Sequence, residues 1–301
     1  YDQFVWIPVD KETAIIEEGK EIKGSTDTEK YTSLKNYVSN ITSPTNGPSK
    51  YPMAIKKADG KYSGILYDFK EENGAVTVTP LDYITTSDFR EPDDARDDVN
   101  NSDITEESMQ EEYKTMIEKV EKQGGFWVGR YETSNMSKCT VIKGTDNIKS
   151  VTWYTMYKGQ KAYKNAKLTN SETTSSMIWG SQWDQIMIWM REVKNEVNTT
   201  NGQYYVTNAV GMGNYGTGDS DTSMTDPVET GKREEYKVKN IYDLAGNVQE
   251  WTLEVRNTRY RHLRGGDHID NNEKYTKASY REYGFPSRGQ GHNLGTRVTL
   301  Y

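Results

Sequence analysis

The last third of the chain limits the fold more than any other feature. The segments with strand character there, WTLEV, RHLRGG, ASYREY and TRVTLY, are short and lie among long polar loops. From 196 to 236 the chain is rich in Gly, Asn, Thr and Asp, with no apolar periodicity. Loops this long in a compact domain are functional, or are held by something other than regular hydrogen bonding. The pattern points to an α+β class with few short strands and helices and much irregular loop.

Regular elements are easier to place upstream. FVWIPVD at 4–10 is rich in β-formers and stops at Pro8, which predicts a first strand. Asp59-Gly60 and Asn73-Gly74 are hairpin turns between short strand-like runs. Residues 11–50 are polar with weak periodicity, and 85–103 form an acidic, turn-rich stretch expected to be an exposed loop. A helix is predicted over Glu106–Gln123, with Met109, Tyr113, Met116, Ile117 and Val120 on one face. Thr105 caps it and Gly124-Gly125 stops it. FWVGRYET at 126–133 reads as a strand and 152–165 as a helix. A third helix follows Ser181, with Ser181 and Asp184 as a capping box and Trp183, Ile186, Met187 and Met190 as its buried stripe.

Only 33% of the 301 residues are hydrophobic, so much of the core has to come from the apolar bodies of 22 Tyr and 7 Trp. The one cysteine, Cys139, excludes a disulfide scaffold and a cysteine-cluster metal site. A net charge of −7 argues against nucleic acid as a partner, which needs a basic footprint. The charge is uneven: from Arg256 onward nine Lys/Arg face four Asp/Glu, and all three histidines lie there. No run of about 18 apolar residues exists to span a membrane. No leader is recognisable at Tyr1, so targeting information is expected to lie outside this sequence.

Several separated segments together resemble the formylglycine-generating enzyme, or sulfatase-modifying factor, family. They are FVWIPVD, GGFWVGRYETS, SVTWYTMYKGQKAY, SSMIWGSQWDQIMIWM, NIYDLAGNVQEWT, RGG at 264–266 and NLGTRV at 293–298, in the family's order. The resemblance runs from Phe4 to Val298. It implies an elaborated C-type lectin fold over 1–301 as a single domain, with 11–105 an insertion carrying hairpins. In that family the stretch equivalent to 243–250 wraps a structural calcium ion. Carried over, the ligands would be the Asp243 and Glu250 carboxylates and the Gly246 and Val248 carbonyls, a donor set that suits calcium. The alternative is an ion-free loop in which Asp243 and Glu250 cap backbone N–H groups.

The family's enzymes oxidise a substrate cysteine with two cysteines of their own that bind copper. Lys274 and Ser279 stand at the approximate positions here, and neither suits cuprous copper, so no copper is expected. The histidine triad of iron-dependent oxidases with this fold has no match. The variable proteins of diversity-generating retroelements resemble the chain better. They use the scaffold as a display platform, and the resemblance implies a non-enzymatic binding protein with a display arm over 256–298. Its ligand-binding side chains would be Tyr260, His262, Asp267, His268, Asp270, Asn271, Tyr275, Tyr280, Glu282, Tyr283, Phe285, Arg288, Gln290, His292 and Asn293. Tyr offers contact area at small entropic cost, and Asn, Asp and His offer hydrogen bonds. The implied partner is a protein or glycan on a cell or particle, and the implied location is the cell surface, a secreted state or a virion. The alternative is an oxidoreductase acting on protein cysteine.

Overall fold

The computed structural model describes residues 1–41, 47–81, 104–135, 139–147, 151–169, 172–191, 202–215, 227–257, 259–269, 275–287 and 293–301. In chain order the elements are β1 (Phe4–Pro8), β2 (Ile15–Glu17), α1 (Asp27–Ser39), β3 (Ala54–Lys56), β4 (Tyr62–Gly64), β5 (Tyr67–Glu72), β6 (Ala75–Pro80) and α2 (Glu106–Gln123). There follow β7 (Gly125–Gly129), α3 (Trp153–Lys167), β8 (Ser175–Met177), α4 (Gly180–Arg191), α5 (Gly202–Thr207), β9 (Lys237–Val238) and β10 (Ile241–Tyr242). The chain closes with β11 (Gln249–Val255), β12 (Arg261–Arg264), β13 (Arg281–Gly284), β14 (Leu294–Thr296) and β15 (Val298–Leu300). This is the expected α+β class of short strands, few helices and much irregular chain.

Local chemistry explains the best-formed elements. Thr105 Oγ1 accepts from Ser108 N at 3.2 Å while Ser108 Oγ accepts from Thr105 N at 2.9 Å, which closes a capping box on α2. Gly124 ends α2 in the left-handed region, and all five expected apolar residues are buried. Both hairpins form at their Gly-containing turns, with β5 and β6 paired from Tyr67↔Pro80 to Glu72↔Ala75 around Asn73-Gly74. The helix α1 was not expected. It rests on a second capping box, Thr26 with Glu29, and buries only Leu34 and Val38 fully, so its apolar repeat is weak. The start of α4 also differs. It begins at Gly180, and the Gln182 carboxamide, not Ser181 or Asp184, accepts from the backbone N–H of Trp179 at 3.0 Å. The helix is buried on every side from Gly180 to Ile188, so its apolar residues are not a stripe but part of a core element. The acidic stretch 85–103 lies outside the described residues.

Two four-stranded sheets carry the architecture. One has the order β1-β7-β15-β8; the other, β13-β12-β11-β14, contains the parallel pair β11·β14. A contiguous apolar cluster joins Ile7, Leu34, Tyr67, Tyr113, Trp183, Trp251 and Tyr301. Residues 11–41 and 47–81 contribute to this core, among them Ile16, Val38, Met53 and Phe69. Tyr51 O accepts from Gln185 Nε2 at 2.8 Å, and Tyr67 N donates to Asp184 Oδ2 at 2.8 Å. No helix among the described residues is long and apolar enough to cross a membrane.

Candidate functional site

The sheet β13-β12-β11-β14 builds the arm. β12 is its inner strand and is buried at every position, whereas β13 is an edge strand and partly open. At the open edge Tyr260 packs on Tyr283 with ring centroids 5.0 Å apart and on Phe285 at 4.5 Å. The Arg256 guanidinium lies 4.4 Å from the centroid of the Tyr283 ring. Tyr283 is 44% exposed, one of the few large apolar side chains so open to solvent. Tyr275 and Tyr280 pair 5.0 Å apart beside them, and Tyr280 Oη donates to Glu282 Oε2 at 2.6 Å.

The expected ligand-binding residues therefore divide. Tyr260, Tyr275, Glu282, Tyr283, Phe285 and Asn293 reach the surface at least in part. His262, Asp267, His268 and Tyr280 are buried, which corrects the reading of them as displayed side chains. Each buried polar group is used internally. His262 Nδ1 meets Glu282 O at 2.8 Å and His268 Nδ1 meets Asn247 O at 3.0 Å, so the two rings serve different carbonyls. Asp267 accepts from Ile269 N at 2.9 Å and from the Asn293 amide. Asp270, Asn271, Arg288, Gln290 and His292 lie outside the described residues.

Beneath the edge sits a buried ion network that no sequence pattern announced. Arg264 pairs with Asp184 at 2.5 Å and with Glu254 at 3.0 Å. Arg281 reaches the same two carboxylates at 3.1 and 2.6 Å. Burial alone would raise the Glu254 pKa, but Arg281, His262 and Arg264 outweigh it and hold it near about 2. Burial lowers the pKa of His262, opposed by the neighbouring Glu254. The network ties α4, β11, β12 and β13 together and fixes the sheet under the aromatic cluster. Space around it is tight: a Cβ at Gly180 would come 2.4 Å from Glu254 Oε2. Gly180→Ala is expected to lower unfolding free energy by about 1–3 kcal/mol through this clash, read by urea denaturation.

The 240–251 loop grips polypeptide. Asn247, at φ +66°, is its hub. Its Nδ2 donates to Glu132 Oε2 at 2.7 Å, and its Oδ1 accepts from Val228 N at 2.9 Å and Asn214 Nδ2 at 3.1 Å. Gly246, at φ +79°, lies so close to Asn214 that a Cβ would stand 2.6 Å from its carbonyl oxygen. Glu250 faces Arg297, with Nε 3.0 Å from both carboxylate oxygens and Nη2 2.5 Å from Oε1. Asp243 Oδ2 accepts from Gly231 N at 2.7 Å.

This arrangement does not fit calcium at Asp243, Gly246, Val248 and Glu250. Calcium requires six to eight oxygens. A guanidinium already occupies both oxygens of Glu250, and of the four carboxylate oxygens on Asp243 and Glu250 only Asp243 Oδ1 has no hydrogen-bond partner. No group of three or more His, Cys, Asp or Glu side chains poised for a metal occurs among the described residues. Three buried carboxylates, Glu132, Asp243 and Glu250, instead share Arg297. Burial raises Asp243 to about 7, opposed by its hydrogen bond from Gly231 and by Arg297. Burial, then Asp243 and Glu250, push Glu132 well above the usual carboxylate range.

No curated protein matches the chain. Among solved structures it is similar to Treponema denticola variable protein 1, with 15% identity, 58% of this chain and 84% of that chain covered, and a TM-score of 0.40. It is also similar to PvdO from Pseudomonas aeruginosa, at 14% identity, 59% and 80% coverage and a TM-score of 0.38. A third is CarF, at 15% identity, 63% and 82% coverage and a TM-score of 0.35. Residues 191–300, which hold the Asn247 hub, the arm sheet and Arg297, match the sulfatase-modifying factor enzyme 1-like domain.

Proposed function

We propose that the protein is a non-enzymatic binding protein of the diversity-generating-retroelement variable type, which presents the β13 edge to a protein or glycan on a cell or particle. The single observation that carries this reading is the cluster of exposed Tyr283 with half-buried Tyr260 and Phe285 and Arg256 over it, set on a sheet locked by buried ion pairs. Rigid aromatic anchors with an adjacent guanidinium are the side chains that dominate binding energy at protein surfaces. The chain's thiol supports the same reading. Cys139 is buried, and burial pushes its pKa up to about 11, so it holds little thiolate for oxidative chemistry.

The test applies labelled protein to arrayed glycans and to intact cells, beside a Tyr260→Ala/Tyr283→Ala variant. Binding should be lost in the variant while its unfolding free energy stays within about 1 kcal/mol of the parent, because each residue is at the surface. A larger loss of stability would show that the two rings are structural. Conversion of a cysteine-bearing peptide to an aldehyde product would instead establish the oxidoreductase alternative.

A further inference from the structure

Residues 256–260 connect β11 to β12 and carry two arginines, Arg256 and Arg259, next to Tyr260 of the aromatic cluster. Arg256 N donates to Tyr260 O at 3.0 Å. Asn257 Oδ1 accepts from Arg259 N at 2.9 Å and from Tyr260 N at 3.2 Å, so both arginines start from anchored backbone. Both are exposed. The arginines with ion pairs among the described residues are Arg233, Arg264, Arg281 and Arg297. Arg256 and Arg259 therefore face solvent with no carboxylate partner among those residues. The Tyr283 ring beneath Arg256 restrains its guanidinium and leaves N–H donors for a fork to an acid group.

The acid groups of the same sheet are turned elsewhere. Glu282 Oε2 accepts from Tyr280 Oη at 2.6 Å and its Oε1 from Tyr283 N at 3.0 Å. Glu254 lies buried against Arg264 and Arg281, and Glu250 against Arg297. The two surface guanidinium groups are thus left uncompensated. The wider charge distribution has the same sense: nine Lys/Arg stand against four Asp/Glu from Arg256 onward, on a chain of net charge −7. An acidic surface is drawn to the arm and repelled by the acidic remainder, which orients its approach.

We infer that the partner of the arm is a protein surface presenting an aspartate or glutamate next to an apolar side chain. Arg256 takes the carboxylate, with Arg259 on the same loop, and the apolar group packs on Tyr283. This rests on the reading of the β13 edge as the binding face. The shape of the cluster selects protein over glycan. Tyr260 stands at 71° to Tyr283 and at 48° to Phe285, so the rings form a ridge and not the flat platform on which the C–H face of a pyranose stacks. A ridged apolar surface takes a branched or aromatic side chain between its rings, and the adjoining carboxylate keeps the guanidinium paired as water leaves the contact. A lysine in place of Arg256 would supply the charge without the fork.

The experiment pans a phage-displayed random peptide library against the full chain, after clearing the library on the Tyr260→Ala/Tyr283→Ala variant, with the glycan array run beside it. Peptides retained by the parent should be net negative, with Asp or Glu adjacent to Leu, Ile, Val or Phe. The strongest of them, made synthetically, should bind Arg256→Gln about tenfold more weakly by titration calorimetry, and Arg256→Lys should not restore the loss. Raising NaCl from about 50 to about 500 mM should weaken binding to the parent several-fold, and to Arg256→Gln less. Both variants should melt with the parent, since Arg256 is exposed. Retained peptides that are neutral or basic, or an affinity unchanged by Arg256→Gln, would overturn the inference while leaving the binding face in place. Tyr283-dependent binding confined to glycans would do the same. No Tyr283-dependent binding of either kind would remove the binding face itself, and this inference with it.

Discussion

Arg264→Leu should destabilise the protein by about 3–5 kcal/mol, a large part of what holds an average domain folded. Arg264 is fully buried and balances Asp184 at 2.5 Å and Glu254 at 3.0 Å. Without it Arg281 is the one guanidinium left to the two carboxylates among the described residues, and it is partly exposed with its contacts shared between them. The cost is that of stranding negative charge away from water, and it exceeds the worth of the pairs themselves. Urea denaturation at neutral pH measures it, with Arg256→Ala as the control that should fall within about 1 kcal/mol of the parent. A loss below 1 kcal/mol for Arg264→Leu would mean that water reaches the network. The acid limb gives a second view. Glu254 is held near about 2, below its ordinary 4.5, so its stabilising effect is present above about pH 4.5 and disappears as pH falls through about 2.

Arg297→Met should cost a similar 3–5 kcal/mol at neutral pH, but with the opposite dependence on acidity. Arg297 is the cation shared by Glu132, Asp243 and Glu250. Asp243 has its folded pKa raised from 3.8 to about 7. A carboxyl raised in this way contributes its stability fully below the unfolded value and loses it as pH rises through the folded value. In the parent, that contribution declines between about pH 4 and 7, by at most about 1.4 kcal/mol per unit. Asp243→Asn should flatten this decline. In Arg297→Met the decline should steepen, because three carboxylates then ionise without a counter-charge, and the variant should recover toward the parent near pH 5. Equilibrium unfolding at pH 5, 6, 7 and 8 reads both effects. A pH-independent loss would show that Arg297 acts by packing alone.

How much of this could be read from the residues depends on the range of the interaction that fixes them. The helix α2 was legible because its five apolar positions and both end signals lie within one short segment. The helix α1 was missed because it buries only two side chains fully, although Thr26 and Glu29 have the capping-box spacing. Asp184 looked like a helix cap because local spacing suggests one; its actual partners lie 80 and 97 residues further along. The 240–251 stretch was legible as a loop held by specific contacts. That it is held by Arg297 and by the Asn247 hub required the fold. In the arm, composition marked a surface rich in Tyr, His and Asp. It could not separate His262, on the inner strand, from Tyr283, directly opposite on the edge.

The placement of β15 bears on synthesis. This strand lies between β7 and β8, and β7 alone connects it to β1. One residue before it, β14 completes the arm sheet beside β11. A nascent chain on the ribosome can therefore close neither sheet until residues 294–300 have left the exit tunnel. Everything made before them waits as partly open edges, the state most exposed to wrong pairing and most dependent on chaperones.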